Sequence, residues 1–265
     1  MRQLKRYTGL YWLFLLQRFK ILLEYRVNFI IGASSTVFLQ AAGLLAIWVV
    51  MRQIPHLNGW TLDQLWLVYG LLTLAKSINH MFADNLWTLG WQYIRPGGFD
   101  RFLVRPINPL FHLLADRFCH DGIGNFLVGL ALVVKAFGSL GIPWSLANVV
   151  YLAAAVTSGG LIFIALNLIT AVSAFWIIES IPVTLAVFQT HEFAKYPLDI
   201  YRRSVSLLMT WAIPYGLASF YPASYLLGRD VGIMAWAGVP VAVGLLLLGY
   251  RFWQFGLRHY GSTGS

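Results

Sequence analysis

Lys76, Asn79, His80 and Asp84 recur at three- and four-residue spacing inside an otherwise apolar stretch, so a helix through them carries all four on one face. At membrane depth such a cation, imidazole and carboxylate mark a pathway, a partner or an interhelical contact. Two readings stand for Lys76. It snorkels to headgroups or pairs with Asp84, or it touches a transported molecule. Other chemistry is fragmentary. His191-Glu192 opens like the zinc-protease pattern HExxH, but Lys195 occupies the fifth position and the second ligand is missing. The six histidines (His56, His80, His112, His120, His191 and His259) are scattered and offer no convincing ligand pair. Cys119 is the single cysteine, which permits no internal disulfide, and the adjacent His120 would point elsewhere on a helix. Ser158-Gly159-Gly160 is read as close helix packing rather than as a serine nucleophile. With no GxxxxGK[ST] the chain has no phosphate-cradling loop of its own. No catalytic, metal or cofactor site is therefore expected in it.

A second group of residues lies on a connector. In Arg95-Pro96-Gly97-Gly98-Phe99-Asp100-Arg101-Phe102-Leu103-Val104-Arg105-Pro106-Ile107-Asn108-Pro109, Pro96 and the glycine pair break the preceding helix. Asp100 is placed to favour the N-terminus of a short helix ended by Pro106 and Pro109. Phe99, Phe102 and Leu103 are expected on one apolar face, with Arg101 and Arg105 on another. This suits a rigid docking element, while composition alone is also met by a solvated basic loop. The stretch Glu192–Arg203 carries tyrosines and cations that suit anchoring at headgroups.

The elements that must position these residues are transmembrane helices. The chain is 58% hydrophobic and 11% charged with a mean hydropathy of +0.67, too few charges to cover a soluble domain of 265 residues. Long apolar runs predict an all-α polytopic membrane protein with six spans, near 27–50, 62–83, 122–137, 146–178, 206–220 and 234–255. The runs are continuously apolar, unlike the ten-residue alternation of a barrel. Ile181–Phe188 is too short to span and reads as an interfacial helix. Residues 1–26 form a separate amphipathic segment, with Leu10, Leu13, Phe14, Gln17 and Ile21 on one side, lying in the inner interface or extending the first span. Residues 27–265 form the spanning domain.

Charge sets the orientation. With Lys195, Arg202 and Arg203 counted inside, fifteen of the 19 Lys and Arg residues fall on the inner side. Arg52, Lys135 and Arg229 fall outside and Lys76 lies within a span, which puts both termini in the cytoplasm of a cell-membrane protein. The net charge of +9 faces anionic lipid rather than nucleic acid, since no basic domain or reader motif stands apart from the spans.

The loop motif Arg95-x-Gly97-x-Phe99-Asp100-x-Phe102-Leu103-x-Arg105-Pro106-x-x-Pro109-Leu110 resembles the signature loop of type-2 ABC export permeases, and within them the six-span subfamily of separate permease subunits. Phe193-Ala194-x-Tyr196-Pro197-x-x-Ile200-Tyr201, Ile213-Pro214, Tyr221-Pro222-Ala223 and Leu226-Leu227-Gly228 are similar to that subfamily. So is the tail Gly256-Leu257-x-x-Tyr260-x-Ser262-x-Gly264-Ser265, while Pro96 is a departure that stiffens the loop entrance. The resemblance implies a permease that pairs with a second, like permease and docks P-loop ATPase subunits through residues 97–109. Those subunits hold the ATP and magnesium, and the resemblance implies export. The scarcity of polar stripes in the other spans suggests an apolar or amphipathic cargo. A membrane-embedded enzyme or a non-transporting scaffold is the competing reading.

Overall fold

The computed structural model describes residues 2–24, 26–54, 56–177 and 179–261, with side chains throughout these except at 2–6, 15, 18, 19, 21–23 and 28. Its elements are α1 (Arg2–Glu24), α2 (Arg26–Gln53), α3 (Leu62–Phe82), α4 (Asp100–Leu103), α5 (Pro109–Ala115), α6 (Gly122–Leu140), α7 (Leu146–Ala171), α8 (Ile181–Gln189), α9 (Arg203–Leu207), α10 (Phe220–Leu226) and α11 (Met234–Arg258). Short 3-10 and π turns join several of them, and the described residues contain no strand.

Four segments are long and apolar enough to cross a membrane: Phe29–Gln53, Gly122–Leu140, Leu146–Phe175 and Met234–Arg258. Helix α3 is not among them, because its apolar run is interrupted by Asp63, Gln64, Lys76, Asn79 and His80. It is instead the most enclosed helix. Leu65, Leu67, Val68, Leu71 and Ala75 are fully buried between α6, α7 and the α10 region. Thr61 starts α3 with a reciprocal capping box, its hydroxyl accepting from the Gln64 amide while the Gln64 side chain accepts from the Thr61 amide. Rising about 1.5 Å per residue, its 21 residues cover about 31 Å, a bilayer core. Its ends define two ends of the bundle, one at Trp60 and the other towards Arg95.

Glycines set how closely the helices approach. A Cβ on Gly129 of α6 would lie 2.8 Å from the Leu74 backbone nitrogen, and one on Gly159 of α7 would lie 2.9 Å from the Cβ atoms of Ala75 and Ala218. Ser158 donates to the Ala155 carbonyl within its own helix at 3.1 Å. The Ser158-Gly159-Gly160 run therefore serves packing, as its composition implies.

Two expected elements are rearranged. Arg95 pairs with Glu179 at 3.3 Å, whereas Asp199 accepts from the Trp60 indole N–H at 2.9 and 3.0 Å and from Asn58 through its backbone oxygen at 3.0 Å. Residues 179–199 thus run the whole length of α3, first as α8 and then as 3-10 turns, so Ile181–Phe188 is the first part of a longer segment packed along α3 rather than a separate short helix. The region 206–220, expected as a single span, is a hairpin that begins beside Asp199 and returns to the same end. It is broken at Ile213-Pro214, where proline cannot continue the helical ladder, and Thr210 and Tyr221 hydroxyls meet across it at 3.0 Å. Phe220 then packs on Trp60 and the Arg229 guanidinium lies 3.7 Å from the Trp60 ring centroid. Arg202 and Arg203 accordingly lie near the Trp60 end of α3 rather than the Arg95 end, and Lys195 lies beside the Tyr69 ring, within the length of α3.

Helix α1 meets the bundle through Tyr7, whose ring stands edge-on to Phe111 at 4.8 Å, and Phe14, which packs against His112. Leu13, expected on the same face, is exposed, and the Ile21 side chain lies outside the described residues, as do tail residues Ser262, Gly264 and Ser265.

Close packing at Gly159 gives a direct test. Gly159→Leu should destabilise the protein by about 1–3 kcal/mol through overpacking and lower its thermal midpoint in detergent. Gly138→Leu, with nothing within 4 Å of a new Cβ, should leave the midpoint unchanged. Equal midpoints for the two variants would contradict the helix contacts described.

Candidate functional site: a polar cavity and a stapled loop

The four residues of the α3 stripe come together as expected. Lys76, Asn79, His80 and Asp84 line a cavity of about 270 Å³ with Thr36, Leu39 and Gln40 of α2, Asn125 of α6, Trp87 and Phe188. Tyr69 donates to the Gln40 side-chain oxygen, Gln40 Nε2 donates to Asn125 Oδ1 at 2.7 Å, and Asn125 Nδ2 meets His80 Nδ1 at 3.0 Å. This chain of side-chain hydrogen bonds links three helices. Asn79 accepts from Asn167 Nδ2 of α7 at 3.1 Å, which ties in a fourth.

The expected Lys76–Asp84 pair does not form. Lys76 Nζ lies 3.5 Å from His191 Nε2, and His191 Nδ1 donates to the Phe188 carbonyl at 2.6 Å. Asp84, eight residues further along, turns to Arg117 at 3.8 Å. The reason is geometric: eight residues put Asp84 about two turns, or roughly 12 Å, beyond Lys76, and α8 with its 3-10 extension brings His191 closer. His191 also contacts Glu192 at 3.2 Å, and Glu192 holds Lys195 at 2.6 Å. The residue that spoils HExxH is therefore the ion partner of its glutamate. Gln40, Asn125 and His191 were missed as site residues; the signal available was an amide inside each of two apolar runs and a histidine placed three residues after Phe188.

Near the Arg95 end, the side-chain ligand atoms of His80, Asp84 and Cys119 lie within 4.8 Å of one another, a grouping no sequence spacing suggests. Cys119 is buried, and desolvation followed by the charges of Asp84 and Asp121 pushes its thiol up to about 11. It is protonated at neutral pH, unlike an activated nucleophile.

The loop after α3 is stapled rather than solvated. Gly97 takes φ +70°, a left-handed conformation that turns the chain into the single helical turn of α4. That turn ends at Leu103, before Pro106, so the expected longer helix is absent. Phe99 and Phe102 are fully buried. Phe99 packs edge-on to Phe175, Trp253 and Tyr260, and Phe102 packs on Tyr93 and His112. Leu103 does not share their face; it is exposed beside Val104, which is 81% exposed, and Arg105 and Pro106. Asp100 accepts from the Tyr260 hydroxyl at 2.8 Å, Arg101 pairs with Asp116 at 3.3 Å and Arg105 Nη1 donates to His112 Nε2 at 3.1 Å. Asn108 caps α5 ahead of Pro109 and donates to the Tyr250 hydroxyl at 3.0 Å. The loop is thus fixed to the segment that follows α3, to the turn that ends α7 and to α11, and presents a small mixed surface outward.

His112 is buried beneath this surface, and desolvation together with the Arg105 charge holds its imidazole below the usual histidine range. The unfolded chain therefore binds the proton first. The stability His112 contributes is full above about pH 6.5 and is lost as the pH falls towards its folded value. Thermal midpoints of the wild type should fall more between pH 7.5 and 5.5 than those of His112→Phe. Parallel pH profiles would show that His112 does not carry this dependence.

A family model described as ABC-2 family transporter protein matches residues 37–264. No curated protein and no solved structure matches the chain.

Proposed function

This chain belongs to the ABC-2 transporter family and is a membrane-embedded permease of an ABC transporter, and we propose that it is the translocating subunit of an ATP-driven exporter. In this reading two permeases pair, and separate P-loop ATPases bind ATP and magnesium beneath them. The observation that carries the reading is the stapled loop. Its aromatic side fixes it to Tyr93 after α3, to Phe175 at the end of α7 and to Trp253 of α11, while Leu103, Val104, Arg105 and Pro106 face outward as a contact surface. A rigid surface of that kind converts a push from a closing ATPase into a movement of α3, α7 and α11. Transport is then a two-state equilibrium biased by ATP's preference for the closed ATPase pair. The cavity, with Leu39, Trp87 and Phe188 on its apolar wall and amides and charges opposite, supports an amphipathic cargo. Helix α2 exposes Val27, Ile30, Ile31, Phe38 and Leu39, an apolar face that suits lipid or the second permease.

The orientation follows from the corrected charge distribution. Even with Lys195, Arg202 and Arg203 moved, the Arg95 end and the N-terminal segment keep most of the basic residues, which supports a cytoplasmic position for both termini. In a Cys119→Ser background, Asn58→Cys, Ser139→Cys, Gly232→Cys and Arg202→Cys should react with an impermeant thiol reagent added outside intact cells, and Gly98→Cys should not. Protection of Arg202→Cys together with Gly98→Cys would return 179–203 to the inner face.

The docking surface has its own test. Leu103→Glu with Val104→Glu changes only exposed side chains, so membrane insertion and the thermal midpoint should persist while co-purification of the ATPase falls at least about tenfold, the equivalent of 1.4 kcal/mol. Undiminished co-purification would remove this loop from the coupling interface.

A further inference from the structure

We propose that His80, Asp84 and Cys119 form a binding site for a divalent metal ion of the zinc class at the Arg95 end of α3, with an open coordination position towards the polar cavity. The three side chains come from two parts of the chain. His80 and Asp84 stand four residues apart where α3 ends, and Cys119 follows α5, its backbone N–H donating to the Met81 carbonyl at 3.1 Å. Their ligand atoms already lie within 4.8 Å of one another, close enough for small side-chain rotations to bring all three onto one ion.

The donor set selects the metal. One thiolate, one imidazole and one carboxylate suit a borderline ion such as zinc, whereas magnesium and calcium favour oxygen ligands alone. Zinc takes such ligands in a tetrahedron, so three protein donors leave a fourth position. His80 and Asp84 also line the cavity, which directs that position into it. On binding, the metal replaces the thiol proton of Cys119, and the two anionic ligands offset its double positive charge.

A second shell is present as well. Asn125 engages His80 Nδ1 at 3.0 Å, which leaves Nε2 as the ligand atom. Metal on Nε2 requires a proton on Nδ1, and Asn125 accepts it by presenting its amide oxygen. The same reversal passes through Gln40 to Tyr69, whose hydroxyl can donate or accept. Arg117, 3.8 Å from Asp84 Oδ2, orients the carboxylate from the other side. The proposal does not depend on the transport reading.

The test uses the full chain, purified without a histidine tag and loaded with zinc or cobalt. Wild-type protein should retain about one zinc per chain after dialysis. Zinc-edge X-ray absorption should show a single sulfur at about 2.3 Å with nitrogen and oxygen at about 2.0–2.2 Å. Cobalt should give a thiolate charge-transfer band that Cys119→Ser abolishes. His80→Gln and Asp84→Asn should each weaken zinc binding at least tenfold, Asn125→Ala about 10–100-fold as an orienting residue, and His120→Gln should leave it unchanged. The wild-type absorption spectrum needs no variant to fold. A shell of nitrogen and oxygen alone, or zinc retention that Cys119→Ser does not alter, would mean adventitious surface binding only and overturn the site.

Discussion

A helix that carries a lysine, an asparagine and a histidine through the middle of an apolar bundle must have those groups satisfied by protein, because hydrocarbon cannot satisfy them. In this chain α3 is that helix, and the rest of the fold is arranged to enclose it. Four more apolar segments provide the surface that suits lipid, and glycines let α6 approach the α3 backbone and α7 approach the side chains of Ala75 and Ile78 closely. Single amides on α2, α6 and α7 then reach its polar face: Gln40 and Asn125 towards His80, and Asn167 towards Asn79. Each of these amides lies among apolar residues of its own helix and becomes part of a network where α3 passes. The cavity exists because this polar face is bridged at intervals rather than filled.

The same economy governs the Arg95 end. Phe99 and Phe102 lie in an aromatic cluster with Tyr93, Phe175, Trp253 and Tyr260, so three separate stretches of chain share one apolar contact. Hydrogen bonds at Asp100, Arg101, Arg105 and Asn108 fix the register of the loop over that cluster. Burial supplies the energy and polar geometry supplies the orientation. Neither alone would hold a one-turn helix such as α4, which is far too short to be stable by itself. The consequence is a surface whose position follows that of the segment after α3, the end of α7 and α11.

Much of this was legible in the sequence. The ends of α2, α3, α6 and α11 fall within a few residues of the apolar runs, because the capping Thr61, the glycines around 122 and 141 and the switch to charged residues are local signals. The α3 stripe was legible from its spacing, and the loop's buried aromatics from their three-residue interval. What sequence spacing could not give was the partner of each polar group. Lys76 and Asp84 share a helical face yet stand two turns apart, and a residue 115 positions away in the chain decides the contact of Lys76. Leu103 was grouped with Phe99 and Phe102 on one apolar face because an apolar side chain beside two phenylalanines carries no mark of which way a single turn will face.

The stretch from Glu179 to Gly228 was misread for a deeper reason. Hydropathy rules take the helix as the unit of crossing, since an isolated segment in lipid must satisfy its own backbone. Here the run from Glu179 to Asp199 along α3 is α-helical for only its first half, and the hairpin that follows is broken at Ile213-Pro214. Irregular backbone is tolerable at that depth only where protein supplies the missing partners, and it does: Ser219 donates to the Ala194 carbonyl at 2.8 Å and Ser206 to the Leu198 carbonyl at 3.0 Å. These bonds join that run to the hairpin, so neither segment is satisfied without the other. A window sliding along the sequence sees two half-polar segments and assigns one to the interface and the other to the bilayer. Only their mutual contact makes them a single unit, and that unit places Lys195 and Glu192 beside α3 rather than among headgroups.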